Sequence, residues 1–177
     1  MPRPNRLWKS GSMKPAIKHL GFAALALIAG CSPGAADAGT KTAAEAAAPA
    51  VHPVSGLQIV PVTVTGTSGR HVFRSELART SAEQAKGLMF RTELGDEEGM
   101  IFLRNPPDMA TFWMRNTVIP LDIIFVGLDR RVMNIAANAV PYDETPLPAA
   151  GPTLAVLEIN GGLAARLGIK PGDKVEW

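Results

Sequence analysis

Hydrophobic and polar residues alternate along much of the chain after residue 57, which is the pattern of half-buried strands. Valine and threonine alternate between Ile59 and Val64, and the Gly-Thr-Ser-Gly sequence at 66–69 predicts a turn. The return strand of this hairpin is predicted at 71–77. Pro61 has no N–H to donate to a neighbouring strand, so it predicts that the first strand lies at a sheet edge.

Capping and turn residues predict two short helices between further strands. Thr80 is followed three residues later by Glu83, a capping-box pattern that predicts a helix ending near Gly87. A second helix is predicted at 161–167, where Gly168 ends it. The other strands are predicted at 100–103, 112–115, 121–126, 132–139, 153–159 and 175–177, with a loop at 105–108. Together these elements predict a compact α+β domain with a mostly antiparallel, curved or barrel-like sheet and about two short helices.

The first 30 residues have the pattern of an export signal. Five Lys and Arg residues precede residue 31 without any acidic residue, and Leu20 to Ala29 form a short apolar stretch. A membrane-spanning helix needs about 20 apolar residues, so this shorter stretch is typical of a secretory signal peptide. Either Met1 or Met13 can serve as its start.

The sequence Ile-Ala-Gly-Cys at 28–31 resembles the bacterial lipobox, in which the cysteine is acylated and the chain is cleaved just before it. We therefore expect an exported, periplasmic protein with a lipid anchor on Cys31, and Ser32 favours the outer membrane. The alternative is an ordinary signal peptide that is cleaved elsewhere, with Cys31 incidental. Residues 31–56 are rich in Ala, Pro and Gly and predict a flexible tether. The chain thus divides into a signal peptide at 1–30, a tether at 31–56 and a folded domain at 57–177.

The signal peptide also accounts for the basic charge of the chain. The sequence has 18 Lys and Arg against 16 Asp and Glu, and removal of the five basic residues before residue 31 leaves 13 against 16, a net charge of about −3. Nucleic-acid binding needs a basic surface, so we expect no nucleic-acid partner. One cysteine excludes a disulfide scaffold and a multi-thiolate metal site. Only His52 and His71 follow the leader, so we expect no metal and no cofactor.

The densest group of distinctive residues lies between Phe112 and Asp122. Trp113, Asn116 and Asp122 place a large aromatic ring near an amide and a carboxylate, a combination that recognises small molecules and sugars. The alternative is structural. In that interpretation Asn116 shapes a turn, Trp113 fills the core and Asp122 accepts hydrogen bonds from backbone amides.

Arg79, Arg91 and Glu158 are the other polar residues flanked by apolar ones, and they complete the predicted ligand-binding set. Glu158 is a candidate partner for Arg91 or Arg79, and such pairs are more often structural than catalytic. Asp122 and Glu158 are also the candidates for a catalytic acid or base.

Several motifs, in order, resemble the DUF192 family, small domains of bacteria and archaea that are often exported. They are Gly-Leu-Met-Phe-Arg at 87–91, Glu-Gly-Met-Ile-Phe at 98–102, Phe-Trp-Met-Arg-Asn-Thr-x-x-Pro-Leu-Asp-Ile-x-Phe at 112–125, Leu-Glu-x-x-x-Gly at 157–162 and Leu-Gly-Ile-x-x-Gly-Asp at 167–173. The resemblance covers about 58–175 and implies a compact, β-rich α+β domain. It supplies no reaction. It does mark the family's characteristic polar and aromatic positions, which are Arg91, Trp113, Asn116, Asp122 and Glu158; Arg115 stands where the family usually has Lys.

Three functions are compatible with these features. The first is a membrane-tethered binding module of the cell envelope that holds a small molecule, a glycan or an envelope partner. The second is a hydrolase that uses Asp122 and Glu158, for which a separation of about 5–9.5 Å across a cleft would suit glycoside chemistry. The third is a structural component of an envelope assembly. The sequence favours binding over catalysis because no motif for a nucleophile and its base is present.

Overall fold

The structure, a computed structural model, describes residues 50–177. Seven strands and two short helices follow one another along this part of the chain: β1 (Ile59–Gly66), β2 (Gly69–Ala78), α1 (Ser81–Lys86), β3 (Glu98–Phe112), β4 (Leu121–Gly127), β5 (Val132–Ala139), β6 (Leu147–Asn160), α2 (Leu163–Leu167) and β7 (Lys174–Glu176). The strands form one sheet in the order β5-β4-β6-β3-β2-β1-β7. The predicted signal peptide, the lipid site at Cys31 and the tether up to residue 49 lie outside the described residues.

The predicted hairpin is formed by β1 and β2, which pair from Ile59 opposite Glu76 to Gly66 opposite Gly69. On its other side β1 pairs with β7 only at 63–65. Pro61 therefore faces no strand on that side, which is the environment that its missing N–H requires. The prediction of an edge strand is wrong for β1 as a whole, because β7 covers one end and Ala50 accepts a hydrogen bond from Ile59 N at the other. Only the position of Pro61 is open.

The predicted loop at 105–108 is wrong, because β3 continues through it as one long strand. Its pairing with β6 shifts register between Leu103 and Asp108. Pro106 and Pro107 cannot donate ladder hydrogen bonds, so this segment bulges away from β6 and pairing resumes beyond it. The bulge matters for the site because it bends β3 beside a groove.

Both predicted helices are present and both are short. Thr80 Oγ1 accepts a hydrogen bond from Glu83 N at 3.2 Å, and Glu83 Oε2 accepts one from Thr80 N at 2.8 Å, which completes the predicted capping box. Gly168 ends α2 with a φ of 68°, a left-handed conformation that glycine adopts without strain. Among the described residues, no helix has the length and apolar character needed to cross a bilayer.

The sheet curls until its two edge strands meet. Arg131, just before β5, forms a bridge with Lys174 of β7. Val132 N donates to Asp173 O and Val175 N donates to Arg130 O, both at 2.8 Å. The domain is thus a curled, mostly β structure. The predicted α+β class overestimated the helical content, because the two helices contain only six and five residues.

Both faces of the central strands are buried. Side chains alternate along a strand, so β4 and β6 contribute to two apolar clusters on opposite faces. The first cluster is centred on Val62, Val64, Phe73, Ile101, Ile124, Leu157, Ile159 and Leu163. The second is centred on Leu88, Met100, Phe102, Met114, Ile123, Phe125 and Val156. Polar residues in the central part of these strands, such as Asp122 and Glu158, are consequently buried whichever face they lie on.

The folded part begins before the predicted boundary at residue 57. Ala50 O accepts a hydrogen bond from Ile59 N, and Val51 forms a bridge with Gln58. The segment 50–56, which the sequence assigned to the tether, is therefore hydrogen-bonded to the domain.

Candidate functional site

A groove of about 900 Å³ opens on the face of the second apolar cluster. One wall is α1 with the Gly87-Leu88-Met89 turn that follows it, and the other is the bulged half of β3. Trp113 stands at the side of the groove and Glu158 lines its floor.

Glu158 is the most unusual side chain in this groove. It lies on β6, in register with Met100 of β3 and Ile123 of β4, and only 5% of it is exposed. Its Oε2 atom is buried and has no hydrogen-bond partner within residues 50–177. Burial among apolar neighbours penalises the charged form and raises the pKa of Glu158 to about 8. At neutral pH this side chain is therefore a protonated carboxyl group with unused hydrogen-bonding capacity.

Asp122 lies on the opposite face of the sheet. It pairs with Ile159, the neighbour of Glu158, so strand alternation sends the two carboxyl groups in opposite directions. The Asp122 carboxylate is fully buried and accepts hydrogen bonds from the backbone N–H groups of Asn138, Gly162 and Ala164 at 2.6, 2.9 and 2.7 Å. It joins the end of β5 to the start of α2.

Because of this arrangement, Asp122 and Glu158 do not share a cleft. The hypothesis that both carboxylates act on one bond has the wrong geometry, and Asp122 is not placed to touch a ligand in the groove. Its role is the structural one that the sequence offered as an alternative.

Arg91 pairs with Glu76 and not with Glu158. Its Nη2 donates to both carboxylate oxygens of Glu76 at 2.5 and 2.7 Å, and Ser55 Oγ donates to the same carboxylate. The His52 ring nitrogens lie 3.3 and 3.4 Å from the Arg91 guanidinium nitrogens. Arg91 thereby fastens the segment 50–56 to the sheet and is not among the residues that line the groove.

Glu76 is a buried residue that the sequence reasoning missed. In the alternation of β2 it falls opposite Phe73 and Leu77, so a strand with one buried face would leave it in solvent. In the structure the face of β2 that contains Glu76 is buried too, and only 2% of Glu76 is exposed. Arg91 could have indicated a buried carboxylate, since a half-buried arginine needs a carboxylate partner. The sequence suggested Glu158 as that partner, whereas the structure pairs Arg91 with Glu76.

Trp113 lies at the side of the groove and is 48% exposed, so the alternative in which it fills the core is wrong. The Arg115 guanidinium lies 4.4 Å from the centre of its ring and also donates to Glu144 at 2.6 Å. One face of the indole is therefore covered by a cation that is itself paired. Asn116 is exposed and lies beside the groove, with Nδ2 3.8 Å from Met89 Sδ.

Three loops with unusual backbone conformations meet beside Trp113. Phe90, Asn116 and Tyr142 have φ values of 64°, 55° and 64°, in the left-handed region that residues other than glycine seldom adopt. Phe90 N donates to Asn116 O at 2.8 Å, and Tyr142 N donates to Thr117 O at 3.2 Å. Such conformations cost free energy and cluster at binding sites, so they support this region as part of the candidate site.

The groove has a positive wall. Arg104 is neutralised by Asp108, with two contacts of 2.7 Å, and it also donates to Gln84 at 2.9 Å. Arg79 just before α1 and Lys86 at its end form no salt bridge within 4.0 Å in the described part of the chain. The backbone N–H of Arg79 donates to Glu83 Oε2 at 2.7 Å. Hydrogen bonds from the backbone of Thr80 and Arg79 lower the pKa of Glu83, and the charge of Arg79 helps to lower it. Arg79, which the sequence singled out, is therefore brought together with Glu158 and Trp113. Lys86 was missed because an exposed lysine at the end of a helix carries no signal of its own.

A metal site has no support within residues 50–177, where no three His, Cys, Asp or Glu side chains are grouped to hold an ion. The polar groups of the groove instead combine cations, a neutral carboxyl group and an aromatic ring. These can hold a ligand by hydrogen bonding and charge.

Comparison with family models decides the relationship, because the model of DUF192, described as "Uncharacterized ACR", matches residues 62–177. The chain belongs to the DUF192 family. Comparison with solved structures gives a protein from Sinorhizobium meliloti 1021, described as a "putative transcription regulator", at 36% identity and a TM-score of 0.63. The match covers 66% of this chain and 91% of that chain. Comparison with curated proteins gives no match.

The five polar and aromatic residues that the sequence motifs marked fall into two groups in this structure. Asp122 and Arg91 hold loops and segments in place through buried hydrogen bonds. Trp113 and Glu158 line the groove, and Asn116 lies beside it. Residues that share a sequence signature therefore have different physical roles.

Proposed function

We propose that this DUF192 domain is a membrane-tethered binding module of the bacterial envelope whose groove holds a small molecule or a glycan. The observation that carries the proposal is the buried carboxyl group of Glu158, a residue that lines the groove beside the half-exposed Trp113. Its Oε2 has no hydrogen-bond partner among residues 50–177. Buried polar atoms are nearly always hydrogen-bonded, so an orphaned one that lines a groove marks a place for a ligand atom. An aromatic side wall is typical of such sites.

The description of the similar Sinorhizobium protein raises gene regulation as another function. The charge balance argues against nucleic acid for this chain, because the net charge after the leader is about −3. The cations line a concave groove that also contains the carboxyl group of Glu158, whereas a phosphate-backbone footprint is an exposed basic stripe. The export pattern of the leader points the same way.

A ligand screen by thermal shift on the mature protein tests the binding function. We expect a ligand that raises the melting temperature of the wild type to lose its effect in Trp113→Ala. The matched control is Leu128→Ala, which removes another exposed apolar side chain, 59% exposed, at a position outside the groove. Ligands whose effect survives in Trp113→Ala would place binding elsewhere and contradict the proposal.

The tether is tested separately, through Cys31. Palmitate labelling and membrane fractionation of cells that express the full chain should show a lipidated, membrane-bound protein. Cys31→Ser should be unlabelled and should leave the membrane fraction. Labelling that persists in Cys31→Ser, or a wild type found only in the soluble periplasm, would refute the lipid anchor.

One observation supports a second candidate function, acid catalysis. A carboxylic acid that stays protonated at pH 7 is suited to donate a proton to a leaving group, and burial gives Glu158 that property. Incubation of a bound ligand with the wild type and with Glu158→Gln, followed by product analysis, distinguishes the two functions. Product formed by the wild type alone, with binding retained in the variant, would make the protein an enzyme.

A further inference from the structure

We propose that the groove binds an oxyanion, a carboxylate or phosphate carried by a small molecule or glycan, between Arg79 and Lys86 on its wall and Glu158 on its floor. This inference rests on the proposed binding function and names the chemical class of the ligand.

The first argument is the charge of the groove. Its charged lining residues are Arg79, Lys86, Arg104, Asp108, Arg115 and Glu158. Asp108 neutralises Arg104, and Glu144 neutralises Arg115, through contacts of 2.7 and 2.6 Å. The other two cations, Arg79 and Lys86, form no salt bridge within 4.0 Å among the described residues. Glu83 attracts Arg79 but does not line the groove, and Glu158 is neutral at pH 7. A cationic ligand would be repelled, and a neutral ligand would leave both cations unused.

The second argument is the hydrogen-bonding state of Glu158. A protonated carboxyl group has one O–H to donate, and an anionic oxygen is the acceptor that gives the strongest hydrogen bond. The ionised form would instead repel an anion at close range. The groove therefore matches an anion only while Glu158 keeps its proton.

The charged groups near Glu158 in the described part of the chain lie on the groove walls and on the neighbouring strands. Lys86 lines the groove from the end of α1, and Arg79 lines it from the link between β2 and α1. Arg104 and Asp108 line it from β3, and Arg115 lines it from the loop after β3. On β2, Glu76 lies in the same row across Met100, about 10 Å away by two strand spacings, and is neutralised by Arg91. The neighbour on β4 is the apolar Ile123. Glu158 is consequently the one group facing the groove for which burial raises the pKa into the range between pH 7 and pH 9.

Calorimetric titration with matched probes tests the inference. The probes are D-galacturonate against D-galactose and glucose 6-phosphate against D-glucose, so that each pair differs chiefly in the anionic group. We expect an anion to bind the mature protein at least about tenfold more tightly than its neutral counterpart, because only the anion can form charge-assisted hydrogen bonds with Arg79 and Lys86. Arg79→Gln and Lys86→Gln should each weaken that binding about tenfold, whereas Lys170→Gln, an exposed lysine outside the groove, should not.

The pH dependence gives a readout that a structural role would not produce. The pH series uses D-galacturonate, whose carboxylate stays ionised from pH 6 to pH 9, whereas a phosphate monoester titrates at about pH 6. With a pKa of about 8 in the free protein, Glu158 is about one-tenth protonated at pH 9, so the dissociation constant of D-galacturonate should rise about tenfold between pH 6 and pH 9. Glu158→Gln keeps a neutral hydrogen-bond donor. It should bind comparably at pH 6 and lose the pH dependence, since Lys and Arg remain charged throughout this range.

The outcomes separate the two proposals. Equal binding of charged and neutral probes would overturn the oxyanion class and leave the binding function in place. Failure of all four probes would also overturn it, because the class requires the charged group and the groove to suffice for measurable binding. A pH dependence that persists in Glu158→Gln would remove Glu158 from the site. Failure of the thermal-shift screen would overturn the binding function itself.

Discussion

Replacement of Glu158 by Gln should change how the stability of the protein depends on pH. In the unfolded chain the glutamate has an ordinary pKa of 4.5, and in the folded domain burial raises it to about 8. Between these values the unfolded chain has released the proton and the folded domain has kept it. The free energy of unfolding must therefore fall as the pH rises from 4.5 to 8 and stop falling above the folded pKa.

The size of the effect follows from the two pKa values. One pKa unit corresponds to about 1.4 kcal/mol, so the difference between 4.5 and about 8 corresponds to roughly 5 kcal/mol. About 3–4 kcal/mol of this falls between pH 5 and pH 8. Glutamine has nearly the same shape and never ionises, so the variant lacks this contribution. Between pH 5 and pH 8 the free energy of unfolding of the wild type should therefore fall by about 3–4 kcal/mol relative to that of Glu158→Gln.

Urea unfolding of the wild type and the variant at four pH values between 5 and 8 measures this difference, with free energies from linear extrapolation. Glu93→Gln is the matched control, since Glu93 is exposed, and its stability should follow that of the wild type at every pH. Parallel curves for Glu158→Gln and the wild type, within about 0.5 kcal/mol, would mean that Glu158 is solvated or paired. The description of the groove floor would then be wrong.

Three further substitutions test the scaffold around the groove, each by urea unfolding. Asp122→Ala leaves three buried N–H groups without an acceptor and should cost about 3–5 kcal/mol; a loss under about 1 kcal/mol would show that the carboxylate is dispensable. Arg91→Met leaves Glu76 as a buried charge without its cation and should cost about 3–5 kcal/mol, and addition of Glu76→Gln should restore part of it. No recovery in the double variant would contradict the pairing. Thr80→Ala removes the helix cap and should cost about 1 kcal/mol, against no change for the exposed Thr92→Ala.

Local elements were the part of the fold that could be predicted. Short sequence motifs predict the hairpin of β1 and β2 and the capping box of α1, because both depend on residues only a few positions apart. The strand β3 was split wrongly because two prolines look like a loop. Whether prolines end a strand or only bulge it depends on the partner strand, in this case β6, which continues the pairing beyond them.

The candidate site was predicted as a set of residues but not as an arrangement. Glu158 and Trp113 reach the groove, while Asp122 and Arg91 serve the scaffold. The sequence placed these residues in one category because each is a polar or aromatic residue in apolar surroundings. Their roles differ because strand register and alternation assign each side chain to a face.

The sequence by itself determined the domain family, the hairpin, the helix caps and the apolar character of the central strands, since these rest on local patterns and ordered motifs. The tertiary structure decided which polar residues are buried and what they meet. Curling the sheet buries both faces of β4 and β6, so that neighbouring positions such as Asp122 and Glu158 enter different environments. Three backbone amides meet one carboxylate and keep it in the scaffold. The other has an oxygen without a hydrogen-bond partner among the described residues, and the resulting desolvation makes Glu158 the centre of the candidate site.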